Sequence, residues 1–136
     1  MSIKDISVLV IEDDDVNRKI LNILLTKTMG IRCVNEWPHS GDFVGRLRSL
    51  SPLPDLIIMD IMISPYDGYE MIKQIRTHHE FDDVKIVAHT AGVMRDQVKE
   101  LRSSRFDGLI SKPITRELFP QLISRILKGE SIWYIS

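Results

Sequence analysis

Asp60 closes an uninterrupted apolar run, Leu56-Ile57-Ile58-Met59. A carboxylate at the end of a buried strand is costly to ionise unless it reaches a sheet edge or a partner. At such an edge it can serve as a nucleophile and form an aspartyl-phosphate. Three other points in the chain carry the groups that this chemistry needs. The run 6–11 leads into Glu12-Asp13-Asp14-Asp15, the run 84–88 into His89-Thr90-Ala91, and Leu109-Ile110 into Ser111-Lys112-Pro113. Clustered carboxylates repel one another when ionised and dry. A hard divalent cation such as Mg2+, which takes oxygen ligands and tolerates a phosphate among them, relieves the repulsion. Glu12 and Asp13 are therefore candidate metal ligands beside Asp60, while Asp14 or Asp15 is available to cap the following helix. Lys112 offers a cation and Thr90 a hydroxyl donor to the oxygens of a transferring phosphoryl group, and Ala91 leaves room beside them. Singly, each of these residues is ordinary; a strand-end Thr is a β-former and a Lys is commonly at the surface. The Lys112-Pro113 step also fixes the chain direction and admits a cis bond.

These residues meet only if the elements bring them together. Short, nearly continuous apolar runs at 6–11, 31–34, 56–59, 84–88 and 109–110 read as strands buried on both faces, as in a parallel sheet. Between them lie helical stripes: Val16, Ile20, Leu21, Leu24 and Leu25; Phe43, Leu47 and Leu50; Met71, Ile72 and Ile75; Met94, Val98 and Leu101; Leu118, Phe119, Leu122 and Ile126. The order is βα repeated five times, which gives a parallel sheet with helices on both faces. In such sheets ligands bind outside the carboxyl ends of the strands, where all the residues above fall.

The composition limits the partners. The chain has 136 residues, 43% apolar and 27% charged, and a net charge of −1. That is one domain with a core of its own and no broad basic surface for nucleic acid or anionic lipid. Cys33 is the only cysteine, so no internal disulfide forms, in keeping with a cytoplasmic location. The N-terminus lacks a signal-peptide run, and the apolar runs fall far short of the ~20 residues of a membrane span.

Four segments resemble the receiver domain of two-component response regulators. They are Val8-Leu9-Val10-Ile11-Glu12-Asp13-Asp14 with Asn17-Arg18; Pro54-Asp55-Leu56-Ile57-Ile58-Met59-Asp60-Ile61-Met62 with Asp67-Gly68; Ile86-Val87-Ala88-His89-Thr90-Ala91; and Asp107-Gly108-Leu109-Ile110-Ser111-Lys112-Pro113-Ile114. The resemblance spans roughly residues 6 to 128. It implies an α/β flavodoxin-like (βα)5 doubly wound fold with a five-stranded parallel sheet in the order 2-1-3-4-5. It implies that Asp60 takes a phosphoryl group from a phosphohistidine on a sensor histidine kinase or a histidine phosphotransfer protein. Mg2+ would be held by Asp13, Asp60 and the main-chain carbonyl of Met62, with Glu12 acting largely through water. Thr90 and Lys112 would contact the phosphoryl oxygens, and Thr90 would shift the surface of the fourth helix, fifth strand and fifth helix. Three positions depart from the family pattern. Ser64-Pro65 moves a loop proline by one residue, Leu109 stands where Tyr or Phe is frequent, and Glu12 replaces the commoner Asp.

Residues 1–130 are expected to form the receiver domain and 131–136 a short tail with no output domain. No DNA-binding helix-turn-helix fits after Lys128, so output is expected to pass through a downstream protein, with no direct contact to DNA or membrane. The start at Met1 favours a stand-alone regulator over a relay intermediate or a piece of a hybrid kinase. The chain is thus expected to be a signalling switch that catalyses its own phosphoryl transfer and not an enzyme acting on other substrates. Val16, Asn17 and Ile20 are candidate docking residues, although Val16 and Ile20 read equally as core. The apolar segment 132–135 reads either as a terminus folded back on its own domain or as a partner or homodimer contact. A haloacid-dehalogenase-type phosphatase is disfavoured, because Met62 stands where a second Asp is needed. A flavin or nucleotide module is disfavoured, because acids replace a Gly-rich phosphate loop after the first strand. A scaffold that works without phosphorylation is opposed by the complete set Glu12, Asp13, Asp60, Thr90 and Lys112. Met62 and Gly92 flank the position from which water would attack an aspartyl-phosphate.

Overall fold

A computed structural model describes residues 2–135. The elements alternate as the apolar pattern requires: β1 (Ser7–Ile11), α1 (Asp15–Ile23), β2 (Cys33–Trp37), α2 (Phe43–Ser49), β3 (Leu56–Met59), α3 (Gly68–Ile75), β4 (Lys85–Ala88), α4 (Arg95–Ser103), β5 (Gly108–Ile110), α5 (Leu118–Leu127) and β6 (Ile132–Tyr134). Helix α1 runs on into a wider π turn, Leu24–Thr28. The sheet order is β2-β1-β3-β4-β5-β6, and every neighbouring pair is parallel.

The flavodoxin-like order 2-1-3-4-5 is present, but the expected five-stranded sheet has six strands. Within the segment 131–136, read as a tail outside the domain, Ile132–Tyr134 pairs with β5 in the register Gly108↔Ile132, Leu109↔Trp133, Ile110↔Tyr134. Three residues carry no periodicity, so only the unpaired edge of β5 identifies them as a strand. This is the folded-back reading of the terminus. The second strand also shifts, from the expected 31–34 to Cys33–Trp37. As an edge strand it is only half-buried, so register against β1, Ser7↔Cys33 through Ile11↔Trp37, sets its bounds. The polar Asn35 and Glu36 are tolerated there.

Side chains alternate across the sheet, giving two cores. Leu9, Ile11, Ile57, Met59, Ile86, Ala88 and Leu109 face α2, α3 and α4 with Phe43, Leu47, Met71, Ile72, Ile75 and Leu101. Val8, Val10, Ile58, Val87 and Ile110 face α1 and α5 with Leu21, Leu25, Phe119, Leu122, Ile123 and Ile126. Each fully buried aliphatic side chain stabilises the fold by roughly 1.5–3 kcal/mol relative to exposure. Parallel strands covered on both faces must be apolar throughout, which is why β1, β3 and β4 read so clearly.

Candidate functional site

The carboxyl edge of the sheet is built as a series of main-chain steps. Past β1, β3 and β4 the next residue donates its N–H to a neighbouring strand, Glu12 to Trp37 O at 3.0 Å, Asp60 to Ile11 O at 3.0 Å and His89 to Met59 O at 2.8 Å, and two residues past β5 Lys112 donates to Thr90 O at 2.9 Å. These bonds extend the ladder by one residue beyond β1, β3 and β4 and by two beyond β5. They fix the Cα positions of Glu12, Asp60, His89, Thr90 and Lys112 before any side chain is considered.

The side chains converge from there. Lys112 Nζ lies 2.6 Å from Glu12 Oε1 and 2.8 Å from Asp60 Oδ2. Asp60 Oδ1 accepts the Met62 N–H at 3.0 Å, and the Thr90 hydroxyl lies close enough to the Asp60 carboxylate to favour its ionised form. Carboxylate oxygens of Glu12, Asp13 and Asp60 lie within 4.8 Å of one another. Glu12 and Asp60 are buried, whereas Asp13 is exposed at the mouth. Asp14 does cap α1, accepting the Val16 N–H at 3.0 Å, and Asp15 pairs with Arg18 on the next turn. The acidic run is thus divided between capping and the site.

Burial pushes the Glu12 carboxyl above its usual range, with Lys112 and Asn17 only partly offsetting it. Burial also opposes charge on Asp60, but hydrogen bonds from Lys112, the Met62 amide and Thr90 outweigh it and hold that carboxyl low. Lys112 is desolvated as well, yet Asp60 and Glu12 keep its ammonium pKa raised. Asp60 is accordingly an ionised carboxylate whose oxygens are already surrounded by donors. Three carboxylates face one ammonium, a surplus of negative charge held on oxygen ligands, which suits a hard divalent cation.

Several residues of the site were not given these roles from sequence. Asn17 Nδ2 hydrogen-bonds Glu12 Oε1, and Arg18 Nη1 donates to Glu12 O at 2.8 Å. Both come from the first turns of α1, five and six residues past Glu12, a spacing that reaches back only once the helix axis is fixed. His89 is fully buried; its Nδ1 donates to Ile110 O at 2.7 Å, while Nε2 has no partner among the described residues. Burial drives its pKa down to about 4. Ser40 clamps the loop after β3, giving its Oγ–H to Tyr66 O at 2.6 Å and accepting the Tyr66 N–H at 2.7 Å. The displaced proline therefore sits in a tethered loop; Ser64-Pro65 and Lys112-Pro113 are both cis. Gly68 opens α3 against that loop, where a Cβ would lie 2.9 Å from Ile61 Cα. Val16 is exposed and so is not core, while Ile20 is half-buried. Met62 and Met94 are also exposed. Among the described residues no helix is long and apolar enough to cross a membrane.

Comparison with known proteins is consistent with this edge. The family model of the response regulator receiver domain matches residues 8–124. The chain is 32% identical over 132 residues to the peroxide stress-activated histidine kinase mak1 of Schizosaccharomyces pombe, an alignment covering 89% of the chain and 8% of that kinase. It is 29% identical over 125 residues to the polar-differentiation response regulator DivK of Brucella ovis, covering 89% of the chain and 95% of DivK. The chain thus spans only a small part of the kinases it matches and nearly all of DivK. Its fold superposes on the receiver domain of a sensor histidine kinase from Pseudomonas aeruginosa PAO1, solved with a magnesium ion in the active-site cleft. The TM-score is 0.77 at 22% identity, over 92% of this chain and 99% of that one.

Proposed function

We propose, from the premise that the chain belongs to the response regulator receiver domain family, that it is a phosphoacceptor switch or relay in which Asp60 takes a phosphoryl group from a phosphohistidine. The observation that carries this reading is the Lys112 ammonium at 2.8 Å from an Asp60 carboxylate that it helps hold ionised against the cost of burial. An Asp60 oxygen attacks phosphorus, the P–N bond breaks, and the imidazole nitrogen leaves with the bond's electron pair and takes up a proton. Lys112 and the Thr90 hydroxyl then have phosphoryl oxygens to hold in place of the bare carboxylate. Asp13, Asp60 and the Met62 main-chain carbonyl would hold Mg2+, with Glu12 acting through water. The ion would supply charge neutralisation between the acids and the incoming phosphoryl group. The magnesium reported in the Pseudomonas receiver domain supports the choice of ion.

The phosphoryl donor is a sensor histidine kinase or a histidine phosphotransfer protein. Exposed Val16, Met62 and Met94, on three loops or helix starts of this same edge, supply apolar surface for docking it. Output passes to a downstream protein in the cytoplasm, and the chain works as a switch and not as an enzyme on a separate substrate. The test is labelling with acetyl phosphate and Mg2+, comparing the wild type with Asp60→Asn. Label on the wild type alone is the expected result. Equal labelling of both overturns Asp60 as acceptor, and no labelling of either favours a scaffold role.

A further inference from the structure

Two chains of contact leave the site, and both end on β6. The first runs through β5. Ser111, directly before Lys112, donates its N–H to Tyr134 O at 3.0 Å. The second runs through α4. Thr90 opens the loop that leads into Arg95–Ser103, and in the last turn of that helix Arg102 sets its guanidinium 5.0 Å over the Trp133 ring. Trp133 lies opposite Leu109 in the ladder and packs against the core on the α4 side. The Lys112 N–H to Thr90 O bond ties the two routes together at their origin.

β6 is also a short element at the sheet edge. It has three residues and leaves Trp133 and Tyr134 half-buried. Short edge segments of this kind open locally at a fraction of the global stability. Its seating on β5 is nonetheless close: a Cβ at Gly108 would come within 2.9 Å of Ile132 O. A small displacement of β5 or α4 is therefore felt there.

We infer, building on the reading of Asp60 as phosphoacceptor, that β6 is the readout strap of the site, loosened from β5 and α4 when Asp60 carries a phosphoryl group. Lys112 now holds the Asp60 carboxylate itself, with the Thr90 hydroxyl beside it. Phosphoryl oxygens lie farther out, so both residues must move to reach them, drawing Ser111 and the start of α4 with them. Tyr134 O and Trp133 lose their seats together. The strap is a two-state element whose balance the site biases through differential contacts. By linkage, weakening the strap must favour occupancy of the site by the same factor.

The chain has two tryptophans, Trp37 and Trp133. The full chain is labelled with fluorotryptophan, and Trp37→Phe assigns the two fluorine resonances. Acetyl phosphate with Mg2+ is added, and intact mass follows phosphorylation in the same tube. The Trp133 resonance is expected to shift in the wild type and to stay in place in Asp60→Asn. Arg102→Ala, which loosens the strap outside the site, is expected to raise the affinity for the phosphoryl mimic beryllofluoride several-fold. An unmoved Trp133 resonance on protein whose mass shows the phosphoryl group overturns the strap and leaves Asp60 as acceptor. Unchanged beryllofluoride affinity in Arg102→Ala counts against the strap in the same way. Absence of the mass gain removes the acceptor reading, and the strap with it.

Discussion

The Lys112 ammonium lies between two carboxylates, 2.6 Å from Glu12 Oε1 and 2.8 Å from Asp60 Oδ2. One cation thereby faces both a carboxyl that burial pushes toward its neutral form and one that hydrogen bonds hold ionised. Lys112→Met removes this cation and, on the proposed function, a phosphoryl-oxygen donor at once. Losing one such donor slows the transfer step on the order of 100-fold. Rates of labelling by acetyl phosphate, compared with the wild type at saturating Mg2+, check this; a loss under about threefold would contradict the assigned role.

Mg2+ binding to the Glu12, Asp13 and Asp60 cluster is expected to raise thermal stability by mass action. At a free concentration about a hundred times the dissociation constant, the gain is about 2.7 kcal/mol. Asp13→Asn keeps the exposed side chain's shape but removes a ligand charge, so the Mg2+-dependent rise in Tm should largely vanish. EDTA should abolish both the rise and the labelling of the wild type. Differential scanning calorimetry with and without Mg2+ measures it.

His89 predicts a pH dependence. Its folded pKa is about 4 against an ordinary value of 6.5, because burial disfavours the imidazolium. The unfolded chain therefore binds more protons between those values, and unfolding gains as pH falls. The contribution is fully present above pH 6.5 and is lost as pH drops toward 4, roughly 3 kcal/mol in all. Urea denaturation at pH 7 and pH 4.5 should show a smaller difference in His89→Leu than in the wild type. Taking the difference between the two proteins cancels the opposite trend from Glu12, whose raised pKa makes its own contribution grow in acid.

Arg76, its side chain buried, and Asp107, half-buried, form a further ion pair at 2.9 Å, and Asp107 Oδ2 also accepts the Ile86 N–H at 2.8 Å. Asp107→Ala leaves a buried guanidinium with carbonyl partners only and frees the amide of β4. Breaking such a pair costs about 3–5 kcal/mol when it is fully buried. Because Asp107 is 31% exposed, the expected loss is nearer about 2–3 kcal/mol. The midpoint of urea unfolding reports it, and labelling of Asp60 in the folded variant should be retained.

Much of this protein is decided locally. Strands covered on both faces must be apolar throughout, so β1, β3 and β4 announce themselves, and the residue after each lands on the ligand-binding edge. With the parallel order of the strands, and with Lys112 following the shorter β5, that brings Glu12, Asp13, Asp60, Thr90 and Lys112 to one edge. Other features depend on partners far along the chain. Cys33–Trp37 is a strand because β1 sets its register, and Ile132–Tyr134 is one because β5 had a free edge. Asn17 and Arg18 serve Glu12 because α1 leaves the sheet at one particular angle, and Ser40 shapes the loop after β3 from 26 residues away. The charge on Asp60 is the clearest case. The sequence determined that an aspartate would end a buried strand; only the tertiary structure decided that it would stay ionised against burial, because Lys112, 52 residues away, reaches it solely in the folded chain.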